Sequence, residues 1–147
     1  MDLGRVRTFD WLTGAAGLVL FIALLMPWYE SNETTVSAWQ SMKWSDIWLF
    51  LTAVVALSMP IAATYKDTPG LKQKRTWIVV TMAVIGLFLA IYRVAEPPSF
   101  VALPTPVERL GGAWVGIAAL VAIIVFAWLA GSGRLAARAR PSSAATS

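Results

Sequence analysis

The sequence predicts an all-α fold, a transmembrane four-helix bundle with both termini in the cytoplasm. Four long apolar runs take up more than half of the 147-residue chain. Each is close to the roughly 20 residues that cross the ~30 Å hydrocarbon core of a bilayer as a helix. Hydrophobic residues make up 58% of the chain and charged residues 14%, against about 25% charged in soluble domains. The basic residues, finally, are concentrated in alternate segments between the runs.

The first helix is predicted at about residues 10–29. Arg5 and Arg7 ahead of an apolar run could open a signal peptide. The run ends in Pro27-Trp28-Tyr29-Glu30 instead of a small-residue cleavage site, so we expect a retained helix that Pro27 closes. Near its start, the small residues 14–17 would let another helix approach closely.

The second helix is predicted at about residues 46–65, with Ser45 and Asp46 as its N-terminal cap. Pro60 should kink it. The kink is either a hinge or cavity marker, or a tolerated bend that the hydroxyls of Ser58 or Thr64 repair. The third helix is predicted at about residues 76–95.

The fourth helix is predicted at about residues 106–133. Thr105 as cap, Pro106 at the first helical position and Glu108 three residues after the cap are typical of a helix start. Gly112 and Gly116 form a GxxxG motif, which favours either a contact inside the bundle or a dimer seam. Residues 1–133 are thus a single domain, and residues 134–147 are predicted to be a basic, mobile cytoplasmic tail.

The basic residues predict the orientation. Of twelve Lys and Arg, nine lie in the N-terminus, the second connection and the tail, and three lie on the other side. Since basic residues are retained on the cytoplasmic side, the first and third connections should face outward. Aromatic residues near the boundaries should then anchor the helices at headgroup level: Phe9, Trp11, Tyr65, Trp77 and Trp128 inside, and Trp28, Tyr29, Trp48, Tyr92 and Trp114 outside.

Arg93, near the outer end of the third helix, is the one ionisable residue predicted within a span. Such residues are candidate functional sites. Here two interpretations are open: a charge clamp that ties the outer helix ends together, or a ligand site for an anionic headgroup or small anion. The candidate cluster consists of Arg93, Glu96, Glu30, Asp46, Glu108 and Arg109.

A second candidate is a partner surface. The first outer connection would present Trp39, Met42 and Trp44 on a short interfacial element. These side chains would serve either as lipid-facing anchors or as a protein-binding surface. Gly112 and Gly116 complete the candidate partner surface, should they form a seam between chains.

The composition excludes several classes of function. The chain has no Cys and no His, which excludes disulfides, thiolate catalysis and histidine-ligated metals. No charged residue lies near the middle of a predicted helix, which disfavours a proton-coupled carrier. The net charge of +4 comes from basic residues that flank the helices and set their orientation. No basic run interleaved with aromatic residues, as nucleic-acid-binding proteins have, accompanies it. We predict no catalytic residue, no metal, no cofactor and no enzymatic activity, although Glu96 and Glu108 are a carboxylate pair of the kind that hydrolysis uses.

Four short motifs carry a resemblance: Met26-Pro27-Trp28-Tyr29, Ser37-Ala38-Trp39-Gln40, Glu96-Pro97-Pro98 and Arg109-Leu110-Gly111-Gly112-Ala113-Trp114. With them the chain resembles uncharacterised small four-helix integral membrane proteins of actinobacteria, over nearly its whole length. The resemblance implies a location in the bacterial plasma membrane and nothing catalytic. It carries no functional residue onto this chain.

The function expected from the sequence is that of a non-catalytic assembly or accessory subunit of a membrane complex. Its partners would be the lipid bilayer and either another membrane protein or further copies of the chain. The alternative is a small transporter or a lipid- or anion-binding membrane protein with its site at the outer helix ends. The surroundings of Arg93 distinguish the two, since a clamp engages it inside the protein and a ligand site leaves it open.

Overall fold

Four helices account for most of the residues that the structure describes. The computed structural model describes residues 8–31, 34–38, 43–65, 69–96, 108–109 and 111–138. The helices are α1 Thr8–Leu25, α2 Lys43–Ala63, α3 Pro69–Ala95 and α4 Gly111–Arg138. All four are long and apolar enough to cross a membrane, judged by length and composition. The predicted four-helix, all-α fold is confirmed at this level.

The helices form a closed ring in which neighbours in sequence are neighbours in space. α1 packs against α2 and α4, and α3 packs against the same two helices. Three short strands, β1 Pro27–Ser31, β2 Thr34–Ser37 and β3 Glu108–Arg109, lie where α1 ends and where α2 and α4 begin. We call this the sheet end of the bundle. The opposite end, where α3 begins with Lys72, Lys74 and Arg75, is called the basic end.

The strands form one antiparallel sheet in the order β2-β1-β3. Tyr29, Glu30 and Ser31 of β1 pair with Val36, Thr35 and Thr34 of β2, and Tyr29 and Glu30 also pair with Arg109 and Glu108 of β3. This sheet was not predicted from the sequence. Its local signal is the β-branched run 34–36, which favours a strand.

Two predicted helix boundaries are wrong because of the sheet. The first helix was predicted to reach residue 29, but it ends at Leu25, since the backbone from Pro27 onward pairs in β1. The fourth was predicted to begin at Pro106, but it begins at Gly111. Glu108 and Arg109 pair with β1 instead of forming a first helical turn. The predicted capping residues 105–107 lie outside the described residues.

The helices also extend beyond the apolar runs. α2 begins at Lys43 instead of Asp46, α3 at Pro69 instead of Thr76, and α4 runs to Arg138 instead of Gly133. Lys, Gln, Arg and Ala are good helix formers, and proline suits the first helical turn. The helix therefore continues through polar residues that a search for apolar runs omits. Residues 134–138 of the predicted tail belong to α4, and residues 139–147 lie outside the described residues.

Small residues set the contact between α1 and α2. A Cβ on Gly17 would lie 2.9 Å from the Cβ of Ala56 and 3.0 Å from the carbonyl oxygen of Ala53. A Cβ on Gly14 would lie 2.9 Å from Cγ of Pro60. The backbones approach so closely that both positions require glycine, as the small residues of the first helix predicted.

α2 continues through Pro60 as far as Ala63. Proline leaves the carbonyl four residues earlier, that of Ala56, without its helical donor. The hydroxyl of Ser58 donates to the carbonyl of Val55 at 2.7 Å, and that of Thr64 to the carbonyl of Ile61 at 2.6 Å. The predicted repair by these two hydroxyls is therefore wrong, because each bonds a different carbonyl.

Candidate functional site at the sheet end

β1 inserts two aromatic side chains into the core. Trp28 is 0% exposed and Tyr29 is 1% exposed. The indole Nε1 of Trp28 donates to the carbonyl of Ala23 in the last turn of α1, at 2.8 Å. Both residues were predicted to be headgroup-level anchors on the outer side. That prediction is wrong, because the strand that follows α1 turns their rings back into the bundle.

The ring of Trp28 lies over the GxxxG motif of α4. A Cβ on Gly116 would lie 2.9 Å from Cζ2 of Trp28, and a Cβ on Gly112 would lie 2.9 Å from its Cδ1. A Cβ on Gly112 would also lie 2.6 Å from the carbonyl oxygen of Pro27. Both glycines are buried. They therefore form a contact inside the bundle. The prediction that Gly112 and Gly116 belong to a partner surface is wrong, because both are covered by Trp28.

Tyr29 connects the sheet to α3. Its hydroxyl donates to the carbonyl oxygen of Arg93 at 2.9 Å. In a continuing helix that carbonyl would accept from the N–H four residues later, but position 97 is proline, which has no N–H. The tyrosine thus satisfies a carbonyl that the sequence leaves without a helical donor.

The side chain of Arg93 connects α3 to α2. Its Nε donates to Oγ of Ser45 at 3.4 Å. Ser45 is 7% exposed, and the adjacent Asp46 is 1% exposed. Asp46 lies in the first turn of α2, where the helix dipole favours a carboxylate. Arg93 is thereby engaged with two other elements of the fold, β1 through its carbonyl and α2 through its guanidinium.

The remaining members of the predicted charge cluster lie around this contact. Glu30 is half-buried in β1. Glu108 and Arg109 pair with Glu30 and Tyr29 through the backbone. Glu96 is exposed at the end of α3, one turn after Tyr92. The structure thus brings Arg93 to Ser45, next to Asp46, and leaves Glu96 on the surface.

Of the predicted aromatic partner surface, the structure describes Trp44. Its side chain is 82% exposed at the start of α2. Trp39 and Met42 lie outside the described residues. Trp44 is therefore a large apolar side chain at the sheet end that a partner or a lipid can contact.

Hydroxyls within the helices bond their own backbone. Thr13 donates to the carbonyl of Phe9 at 2.7 Å, Thr52 to that of Trp48 at 2.8 Å, and Thr76 to that of Lys72 at 3.2 Å. The indole of Trp48 donates across to the carbonyl of Met82 on α3 at 3.1 Å. These polar groups already have partners inside the protein, and the last of them fixes α2 against α3.

Comparison with protein-family models, with curated proteins and with solved structures found no match. The resemblance to small actinobacterial membrane proteins therefore stays a prediction.

Proposed function

We propose that this chain is a multi-pass integral membrane protein that serves, without catalysis, as an assembly or accessory subunit of a membrane complex. The observation that carries the proposal is the environment of Arg93. Its Nε bonds Ser45 and its carbonyl accepts from Tyr29. Arg93 thus joins α3 to α2 through its guanidinium and to β1 through its backbone carbonyl, and this favours a structural role for the cluster.

The outward faces of the helices support insertion into a bilayer. Large apolar side chains are exposed along every helix, for example Leu18 at 50%, Val54 at 46%, Phe88 at 71% and Val125 at 45%. Water would make such a surface costly, at roughly 25 cal/mol per Å² of apolar area. Lipid tails remove that cost.

The proposed location is the bacterial plasma membrane, with the basic end and both termini in the cytoplasm. Nine basic residues on the proposed cytoplasmic side against three on the outer side support this orientation. It places Trp44, the sheet and Arg93 at the outer surface, where a partner would meet them.

A pull-down from native membranes tests the proposal. We expect the tagged chain to elute with a defined partner, or as a defined oligomer, at the same stoichiometry from a mild detergent and from polymer nanodiscs. Replacing Trp44 with alanine should weaken that complex several-fold, because large aromatic anchors contribute most of the energy of an interface.

The matched control is Trp11→Ala on α1 at the basic end, where the side chain is 55% exposed. It removes an equally large exposed ring from a helix face and should leave the complex intact. A lone monomer from both solubilisers would contradict the subunit role. Specific binding of a small anion that is lost in Arg93→Gln, in a chain that still folds, would instead favour the transport or ligand-binding alternative.

A further inference from the structure

We infer that the outer surface that α3 and α4 form at the basic end is a binding site for one anionic phospholipid. The inference rests on the membrane insertion proposed above. The acyl chain would lie against the rings of Trp77 and Trp128, and the headgroup phosphate would meet Lys74.

The two tryptophans form an exposed aromatic wall. Trp77 on α3 is 56% exposed and Trp128 on α4 is 57% exposed. Their ring centroids are 6.3 Å apart with an interplanar angle of 74°, an edge-to-face arrangement that aromatic pairs prefer. The pair therefore offers a fixed apolar surface that continues from one helix to the other.

A close helix contact holds this wall in place. A Cβ on Gly131 would lie 3.1 Å from Cγ2 of Thr76, so α3 and α4 touch beside the tryptophans. Thr76 is 6% exposed, and its hydroxyl donates to the carbonyl of Lys72. The two helices thus leave no space between them at this point, and a ligand would lie on the outer face of the two rings.

The charge at this end complements an anion. Lys74 is exposed, and it lies three residues before Trp77, hence on an adjoining face of α3. Lys72 is partly exposed one turn before Thr76. Among the described residues of the basic end the one acid is Asp10, which is 1% exposed on α1. Lys74 therefore presents a positive charge beside the aromatic wall.

The depth of the tryptophans suits a lipid headgroup. From Trp77 to the end of α3 at Ala95, a helical rise of ~1.5 Å per residue gives about 27 Å, close to the ~30 Å hydrocarbon thickness. Trp77 therefore lies at the edge of the apolar layer, and Lys72 and Lys74 lie beyond it at phosphate level. This depth favours a phospholipid over a soluble anion, which could not use the tryptophans.

Quenching by brominated lipid tests the site in the full-length chain. The protein is reconstituted in phosphatidylcholine vesicles that contain the same low fraction of either brominated phosphatidylglycerol or brominated phosphatidylcholine, and tryptophan fluorescence is recorded. We expect the anionic lipid to quench more strongly, with a local enrichment of about fivefold for each lysine near the headgroup. That excess should fall at high salt.

The variants locate the effect. Trp77→Phe and Trp128→Phe should each remove part of the excess quenching, and Lys74→Gln should reduce it while both tryptophans remain. Trp114→Phe, at the other end of α4, is the control and should leave the excess unchanged.

Three other outcomes would contradict either the lipid site or the insertion of the chain into the bilayer. Equal quenching by both lipids would refute the anionic site and still support insertion into the bilayer. Excess quenching that persists in the Trp77→Phe, Trp128→Phe double variant would also refute it. Absence of quenching by either lipid would overturn membrane insertion itself.

Discussion

At Gly112 a single hydrogen atom lets β1 lie against α4. A Cβ there would approach the carbonyl oxygen of Pro27 to 2.6 Å, so backbone would have to move to admit it. We expect Gly112→Ala to lower the free energy of unfolding by about 1–3 kcal/mol, the usual cost of overpacking. Thermal unfolding of the purified protein in detergent would show this as a lower Tm.

The adjacent Gly111 supplies the control, because a Cβ there meets nothing within 4 Å. Gly111→Ala should be neutral or slightly stabilising, since alanine favours the helix over glycine by up to ~1 kcal/mol. Equal losses in the two variants would contradict the contact with β1 as the cause, because alanine at Gly111 meets nothing and favours the helix.

Residues of this kind are only partly predictable from sequence. The GxxxG motif predicts that another part of the protein packs closely against α4, but it does not predict which group fills the space that the glycines leave. Trp28 fills it here. Trp28 also follows an apolar run, where a boundary anchor is the usual expectation. Its burial depends on β1 folding back over α4, a long-range arrangement that local pattern does not encode.

At the scale of elements, a side-chain hydrogen bond from Tyr29 to the carbonyl of Arg93 ties the sheet to α3. We expect Tyr29→Phe to weaken this connection, because a buried carbonyl without a donor costs about 1–3 kcal/mol. Amide exchange of β1 and β2 should quicken by about fivefold or more, and exchange of the four helices should change little. Hydrogen–deuterium exchange with peptide resolution measures both.

Tyr65→Phe is the matched control, since Tyr65 follows α2 at the opposite end of the bundle and is 60% exposed. It should leave exchange of the sheet unchanged. Uniform acceleration across the helices in Tyr29→Phe would show that the hydrogen bond supports the whole bundle and not the sheet alone.

The sequence predicted the number and position of the helices because each apolar run is long and uninterrupted. The predicted helix ends were wrong for a physical reason. The length of an apolar run indicates which residues can lie in lipid, whereas backbone hydrogen bonding and helix propensity determine where a helix ends. The polar segment from Gly70 to Arg75 is helical in the structure, although it is not apolar. The strands were missed because β3 has two residues and acquires its conformation by pairing with β1.

At the scale of the whole molecule, the asymmetry of charge predicts an orientation that can be tested. The chain has no cysteine, so a single introduced thiol can be labelled without background. Gln73 at the basic end and Thr35 in β2 at the sheet end are both exposed. If the nine basic residues stay in the cytoplasm, a membrane-impermeant maleimide added to intact bacterial cells should label Thr35→Cys and should label Gln73→Cys only after permeabilisation.

The reverse pattern would overturn the orientation, and labelling of both in intact cells would contradict a single topology. The same result decides which leaflet supplies the lipid at Trp77 and Trp128, because Gln73 lies one helical turn before Trp77 and the two must share a side of the membrane.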